Sequence, residues 1–118
     1  MKYIVKKEYT SDNNDPIVLK KGDLVFLGDK SNDNGPWPNW IYCTSDRTKK
    51  CGWTPVQILQ QKGDTAIATE DYDAIEMTVR VGDILSGDRI LNGWVWCIRA
   101  SDNSQAWVPL NCVEAINH

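Results

Sequence analysis

One spacing governs what this chain of 118 residues can fold into. Trp40, Cys43, Trp53 and Pro55 recur as Trp94, Cys97, Trp107 and Pro109, each 54 residues later. The Gly-Asp pair at 22–23 recurs at 82–83, an offset of 60, so the first copy holds six extra residues between these anchors. Several anchors at one offset mark an internal repeat, and a repeat has to be settled before fold class. Two domains of roughly 55 residues follow, near the lower size at which a domain folds without disulfides or metal.

Each copy reads as short β-branched or aromatic runs cut by Gly, Asn, Asp and Pro, with no sustained helical period. The expected strands of the first copy are Tyr3–Val5, Leu24–Leu27, Trp40–Thr44, Gly52–Thr54 and Ile58–Leu59. Those of the second are Thr65–Ala68, Thr78–Val81, Ile84–Ser86, Trp94–Arg99, Ala106–Val108 and Val113–Ile116. So few short strands per copy close best as a small barrel, which also hides strand edges. The expectation is an all-β chain of two five-stranded barrels, residues 1–61 and 64–118, joined by the polar segment 60–65, QQKGDT.

Order and spacing resemble a known family. The first copy has VKKEY (5–9), KKGD (20–23), WIYC (40–43) and GWTP (52–55). The second has ATEDY (68–72), RVGD (80–83), WVWC (94–97) and AWVP (106–109). Each copy resembles a Src-homology-3 (SH3) domain, and the tandem arrangement resembles bacterial variant proteins of that type. The resemblance implies a non-catalytic module whose aromatic groove accepts a proline-rich extended peptide. It places Trp40 and Trp94 at the groove tryptophan, Pro55 and Pro109 at the groove proline, and Tyr9 and Tyr72 at the second tyrosine of the opening motif. Two further groove tyrosines are replaced, one by Lys7 and Glu70, the other by Ile58 and Cys112. Glu70, Asp71, Asp73 and Glu76 occupy the second copy's loop, where the family faces a basic ligand residue.

The six extra residues fall in NDNGPWPNW (32–40), which sets Trp37 between two prolines beside Trp40. Proline stiffens such a loop. Trp37 is therefore a candidate to line a ligand pocket or to plug the groove.

Strand alternation sends Ile41, Cys43, Val95 and Cys97 inward and Trp40, Tyr42, Trp94 and Trp96 outward. Cys43 and Cys97 are then small buried hydrophobes. Cys43 and Cys51 are placed where they can face each other across a hairpin. Trp53 and Trp107 are expected to pair across their hairpins with Tyr42 and Trp96. Three outward aromatics per hairpin exceed what so small a barrel buries, which marks a partner, a ligand or a neighbouring domain.

Charge narrows the partners. Residues 1–61 carry nine Lys/Arg against seven Asp/Glu, and residues 62–118 four against nine. No clustered basic field suits nucleic acid, no apolar run suits a membrane, and the second copy favours a basic partner. His118 is the single histidine and no Cys-x-x-Cys occurs, so neither metal nor another cofactor is expected. The N-terminus lacks a signal-peptide core, which points to the cytoplasm. A rigid tandem scaffold with its grooves buried between domains, and a cell-wall or glycan binder if exported, are the competing readings.

Overall fold

A computed structural model describes residues 1–11, 15–32, 34–35 and 38–116. Among the described residues twelve strands run in chain order: β1 (Lys2–Val5), β2 (Val18–Leu19), β3 (Leu24–Lys30), β4 (Trp40–Ser45), β5 (Cys51–Pro55), β6 (Leu59–Lys62), β7 (Thr65–Ala68), β8 (Tyr72–Asp73), β9 (Ile84–Leu91), β10 (Trp94–Arg99), β11 (Gln105–Pro109) and β12 (Val113–Ile116). The helical elements among the described residues are two single 3₁₀ turns, Val56–Ile58 and Leu110–Cys112. The chain is all-β, and its sheets are those of two SH3-like barrels.

The barrels do not follow the repeat. One compact unit is Asp15–Ala74, with sheet order β5-β4-β3-β7-β6; the other combines Met1–Asn14 with Ile75–His118, in the order β11-β10-β9-β1-β12. Each barrel therefore takes its opening strand from the opposite copy. This corrects the expected division at 62–64. That segment is a hairpin turn inside the first unit, where Lys62 pairs with Thr65 and Gly63 takes φ +63, the pattern of a two-residue type II′ connection.

The exchange is reciprocal to the residue. In one barrel Tyr3 lies opposite Leu85 and Ala115; in the other Ala66 lies opposite Val25 and Gln61. The Val5 N–H donates to Asp83 O and the Ala68 N–H to Asp23 O. Both barrels thus keep one hydrogen-bond pattern, with the strand donors interchanged.

Local sequence explains the turns. Lys20–Asp23 and Arg80–Asp83 are matching type II-like turns, with Gly22 at φ +93 and Gly82 at φ +95, a conformation that favours glycine at the third position. In each, the Asp carboxylate also accepts the N–H three residues back, at 2.9 Å from Lys20 and 3.0 Å from Arg80. Asn92 and Gly93, at φ +49 and +89, close the β9–β10 hairpin as a type I′ pair.

Inward-facing residues pack each barrel separately. Tyr3, Val5, Met77, Val79, Leu85, Val95, Cys97, Ala106 and Val108 form one buried cluster. In the other unit Ile17, Leu19, Val25, Ile41, Cys43, Ile58, Ala66 and Ala68 are buried. Ile41, Cys43, Val95 and Cys97 point inward as alternation required.

Candidate functional site

In the barrel that ends the chain, the tight Asn92–Gly93 turn delivers Trp94 at the start of β10, directly opposite Pro109 on β11. Tyr9 joins them from the far end of the sequence. Its backbone bridges to Val79, with N–H to O distances of 3.1 and 2.9 Å. Its ring meets Trp94 edge-on, with centroids 5.7 Å apart and planes at 83°. The Tyr9 hydroxyl donates to Glu76 Oε1 at 2.5 Å. Tyr9, Glu76 and Trp94 are half-buried, so one side of this aromatic pair faces solvent.

The segment carrying Glu76 is itself fixed to β11. Trp107 N–H donates to Ile75 O at 3.0 Å, and Met77 N–H donates to Trp107 O at 2.9 Å. The Trp107 ring packs edge-on against Trp96 at 5.4 Å, with the Arg89 guanidinium 5.9 Å from its centroid. Trp107 is consequently only 4% exposed. The expected outward, unburied tryptophan is here a covered one.

In the barrel Asp15–Ala74, Trp40 opens β4 opposite Pro55. Trp40 N–H donates to Ser31 Oγ at 3.0 Å and Ser31 N–H to Trp40 O at 2.8 Å, which closes the base of the 31–40 loop. The Trp40 indole Nε1 is buried and finds no acceptor among the described residues. Tyr72, the repeat counterpart of Tyr9, belongs to this unit, paired with Leu19 and buried. Tyr42 and Trp53 meet edge-on at 5.5 Å and are 39% and 45% exposed. Trp37 lies outside the described residues.

The tyrosines are therefore interchanged relative to the sequence expectation. Tyr9 sits with Trp94 and Pro109, not with Trp40 and Pro55; Tyr72 sits in the barrel of Trp40. The acidic loop divides as well: Glu70, Asp71 and Asp73 go with Trp40's barrel, and Glu76 alone goes with Trp94. Asp71 accepts the Lys21 N–H at 2.8 Å, which ties this acidic segment to its turn. The charge asymmetry of the copies disappears in the barrels. The unit containing Trp94 has six Lys/Arg against seven Asp/Glu, and the unit containing Trp40 seven against nine.

The cysteines are free thiols. Cys43, Cys97 and Cys112 are buried and Cys51 is exposed. Cys43 pairs with Gly52 and Cys51 with Thr44, so Cys43 and Cys51 occupy opposite faces of their hairpin rather than facing each other. Burial pushes the Cys43 thiol above its ordinary value and the Cys97 thiol up to about 11.

The link between Glu76 and Tyr9 escaped sequence reasoning, because it joins residues 67 apart across the strand exchange. The burial of Trp107 escaped for a related reason: Ile75–Met77 adds to β11 as a parallel bridge that no turn signal announces.

A model of the variant SH3 domain family matches residues 2–61, in the chain order of that family and including the β1 strand that the fold assigns to the other barrel. No curated protein and no solved structure matches the chain. With half of its length matched and an all-β fold of the same kind, the chain belongs to the variant SH3 domain family, whose barrels serve as protein-interaction modules.

Proposed function

We propose that this protein is a non-catalytic binder of extended peptides, with its principal groove at Tyr9, Trp94 and Pro109. The observation that carries the reading is the edge-on Tyr9–Trp94 pair, half-exposed and held in place by the Tyr9–Glu76 hydrogen bond. Pro109 is buried behind the pair, so the solvent-facing sides of the Tyr9 and Trp94 rings are the surface offered to a polyproline II ligand, which loses little entropy on binding. Trp40 and Pro55 form the second groove. Glu70, Asp71 and Asp73 accompany Trp40, so the preference for a basic residue belongs to this groove.

The test is a titration of the intact protein with proline-rich peptides, with and without flanking Lys/Arg, followed by indole and amide shifts. Shifts centred on Tyr9 and Trp94 that vanish in Trp94→Ala, with folding intact, support the principal groove. Shifts confined to other surfaces, or none across a broad peptide set, reject it.

A further inference from the structure

We infer that the exchange of opening strands is fixed by the sizes of four inward side chains, Tyr3 and Val5 on β1 and Ala66 and Ala68 on β7. This inference is independent of the binding proposal. All four residues are buried, the first pair in the barrel of Trp94 and the second in the barrel of Trp40. A direct closure, with each copy using its own strand, keeps the number of strand pairings but opens the β6–β7 hairpin, in which Lys62 pairs with Thr65. Ile4 then meets Leu24 instead of Ile84, and Tyr3 meets Val25 instead of Leu85. The two barrels share one register and the same flanking hydrogen bonds at Asp23 and Asp83, so outside the Gly63–Asp64 turn the backbone pairing does not choose between closures.

Side-chain volume does choose. Direct closure inserts Tyr and Val into positions built around two alanines, and it leaves alanines where Tyr3 and Val5 fill the other core. Close-packed interiors resist both changes. The surrounding residues are matched to the exchanged arrangement. Where the Tyr3 barrel has Val95 and Cys112, the Ala66 barrel has the larger Ile41 and Ile58, all of them buried. Leu85 against Val25, and Ala106 against Gly52, run the other way. Each is a smaller step than tyrosine against alanine, and at Gly52 the side chain of Ile17 already fills the space a Cβ would take.

Disulfide trapping in the full chain tests the inference. Ile4, Leu24 and Ile84 stand on outer faces, so cysteines there leave the cores intact. In a Cys51→Ser background, mild oxidation should cross-link Ile4→Cys to Ile84→Cys within one molecule and leave Ile4→Cys with Leu24→Cys unlinked. Interchanging the inward residues (Tyr3→Ala, Val5→Ala, Ala66→Tyr, Ala68→Val) should reverse that preference. Should the fourfold variant not fold, Tyr3→Ala with Val5→Ala removes the size difference without overpacking either barrel. The Leu24 cross-link should then appear beside the Ile84 one. An unchanged Ile84 cross-link in whichever variant folds would show that the Gly63–Asp64 turn sets the topology, and would overturn the inference. Linkage to Leu24 in the unaltered core, or cross-linked dimers in place of monomers, would overturn it as well.

Discussion

Tyr9 and Trp94 lie 85 residues apart in sequence, yet their rings meet at 5.7 Å in one barrel. Their contact joins the opening loop of one copy to the groove strand of the other. Tyr9→Phe, which removes the hydrogen bond to Glu76, should cost about 1 kcal/mol of stability. Tyr9→Ala should cost roughly a further 0.5–1.5 kcal/mol through loss of the edge-on pair. In both variants the indole resonance of Trp94 should shift while that of Trp40 stays in place. A shift at Trp40 alone would mean that Tyr9 closes on its own copy.

The unit Asp15–Ala74 contains its five-stranded sheet and the β2–β8 pair in one continuous segment. Expressed alone, residues 15–74 should fold cooperatively, with dispersed amide resonances and a sharp thermal transition. Residues 1–61, cut along the repeat, bring Tyr3 and Val5 to a core shaped for alanines and should give a poorly packed or aggregating product. In the native full-length protein trypsin should spare Lys62, which is held in the β6–β7 hairpin.

Thiol labelling of native protein should be fast at Cys51 and slow at Cys43, Cys97 and Cys112, following their exposure. Cys97→Ser should destabilise its barrel by roughly 1–3 kcal/mol, because a buried hydroxyl needs a partner.

Alkaline pH should weaken the same barrel through the same group. Burial raises the Cys97 thiol from 9.0 to about 11, so the folded state retains a proton that the unfolded chain releases. The contribution is full below the unfolded value and is lost as pH rises from about 9 to about 11, reaching on the order of 3 kcal/mol. Urea midpoints across that range should fall in the parent protein and flatten in Cys97→Ala.

Gly87→Ala should be more damaging than Gly22→Ala. A Cβ at Gly87 comes within 2.6 Å of Trp96 O and 2.9 Å of Cys97 Sγ, at the irregularity where β9 shifts register against β10. Relief requires backbone movement, at a cost of roughly 1–3 kcal/mol or more. Gly22 has open space around it and loses only its left-handed freedom at φ +93, about 1–2 kcal/mol. Thermal unfolding of the two variants should rank them in that order.

Most of the fold is legible in the sequence because strand alternation and turn chemistry are local. Thr65–Ala68, Trp94–Arg99 and Val113–Ile116 are strands over the expected residues. The inward parity of Cys43 and Cys97 follows from the residues beside them. The short β2 and β8 strands pair only Val18–Leu19 with Tyr72–Asp73, and Thr78–Val81 supplies just the Val79 bridge. Which copy receives each opening strand is a different kind of information. It depends on how Tyr3 or Ala66 fits a core assembled from residues some 80 or 40 positions away, and a periodicity argument does not carry that comparison. The expected partners differ from the observed ones for this reason: the sequence order sets Tyr9 with Trp40 and Tyr72 with Trp94, whereas the fold sets Tyr9 beside Trp94 and Tyr72 in the barrel of Trp40.

The Gly63–Asp64 turn joins the last strand of one sequence repeat to the first strand of the next, so the repeat in the sequence and the barrels that close in space are out of step. Deleting one copy by recombination does not remove one barrel and spare the other; it leaves a half-chain whose strand and core were selected for different partners. A change in residues 2–5 is therefore felt in the packing of the second half of the chain, and one in residues 65–68 in that of the first.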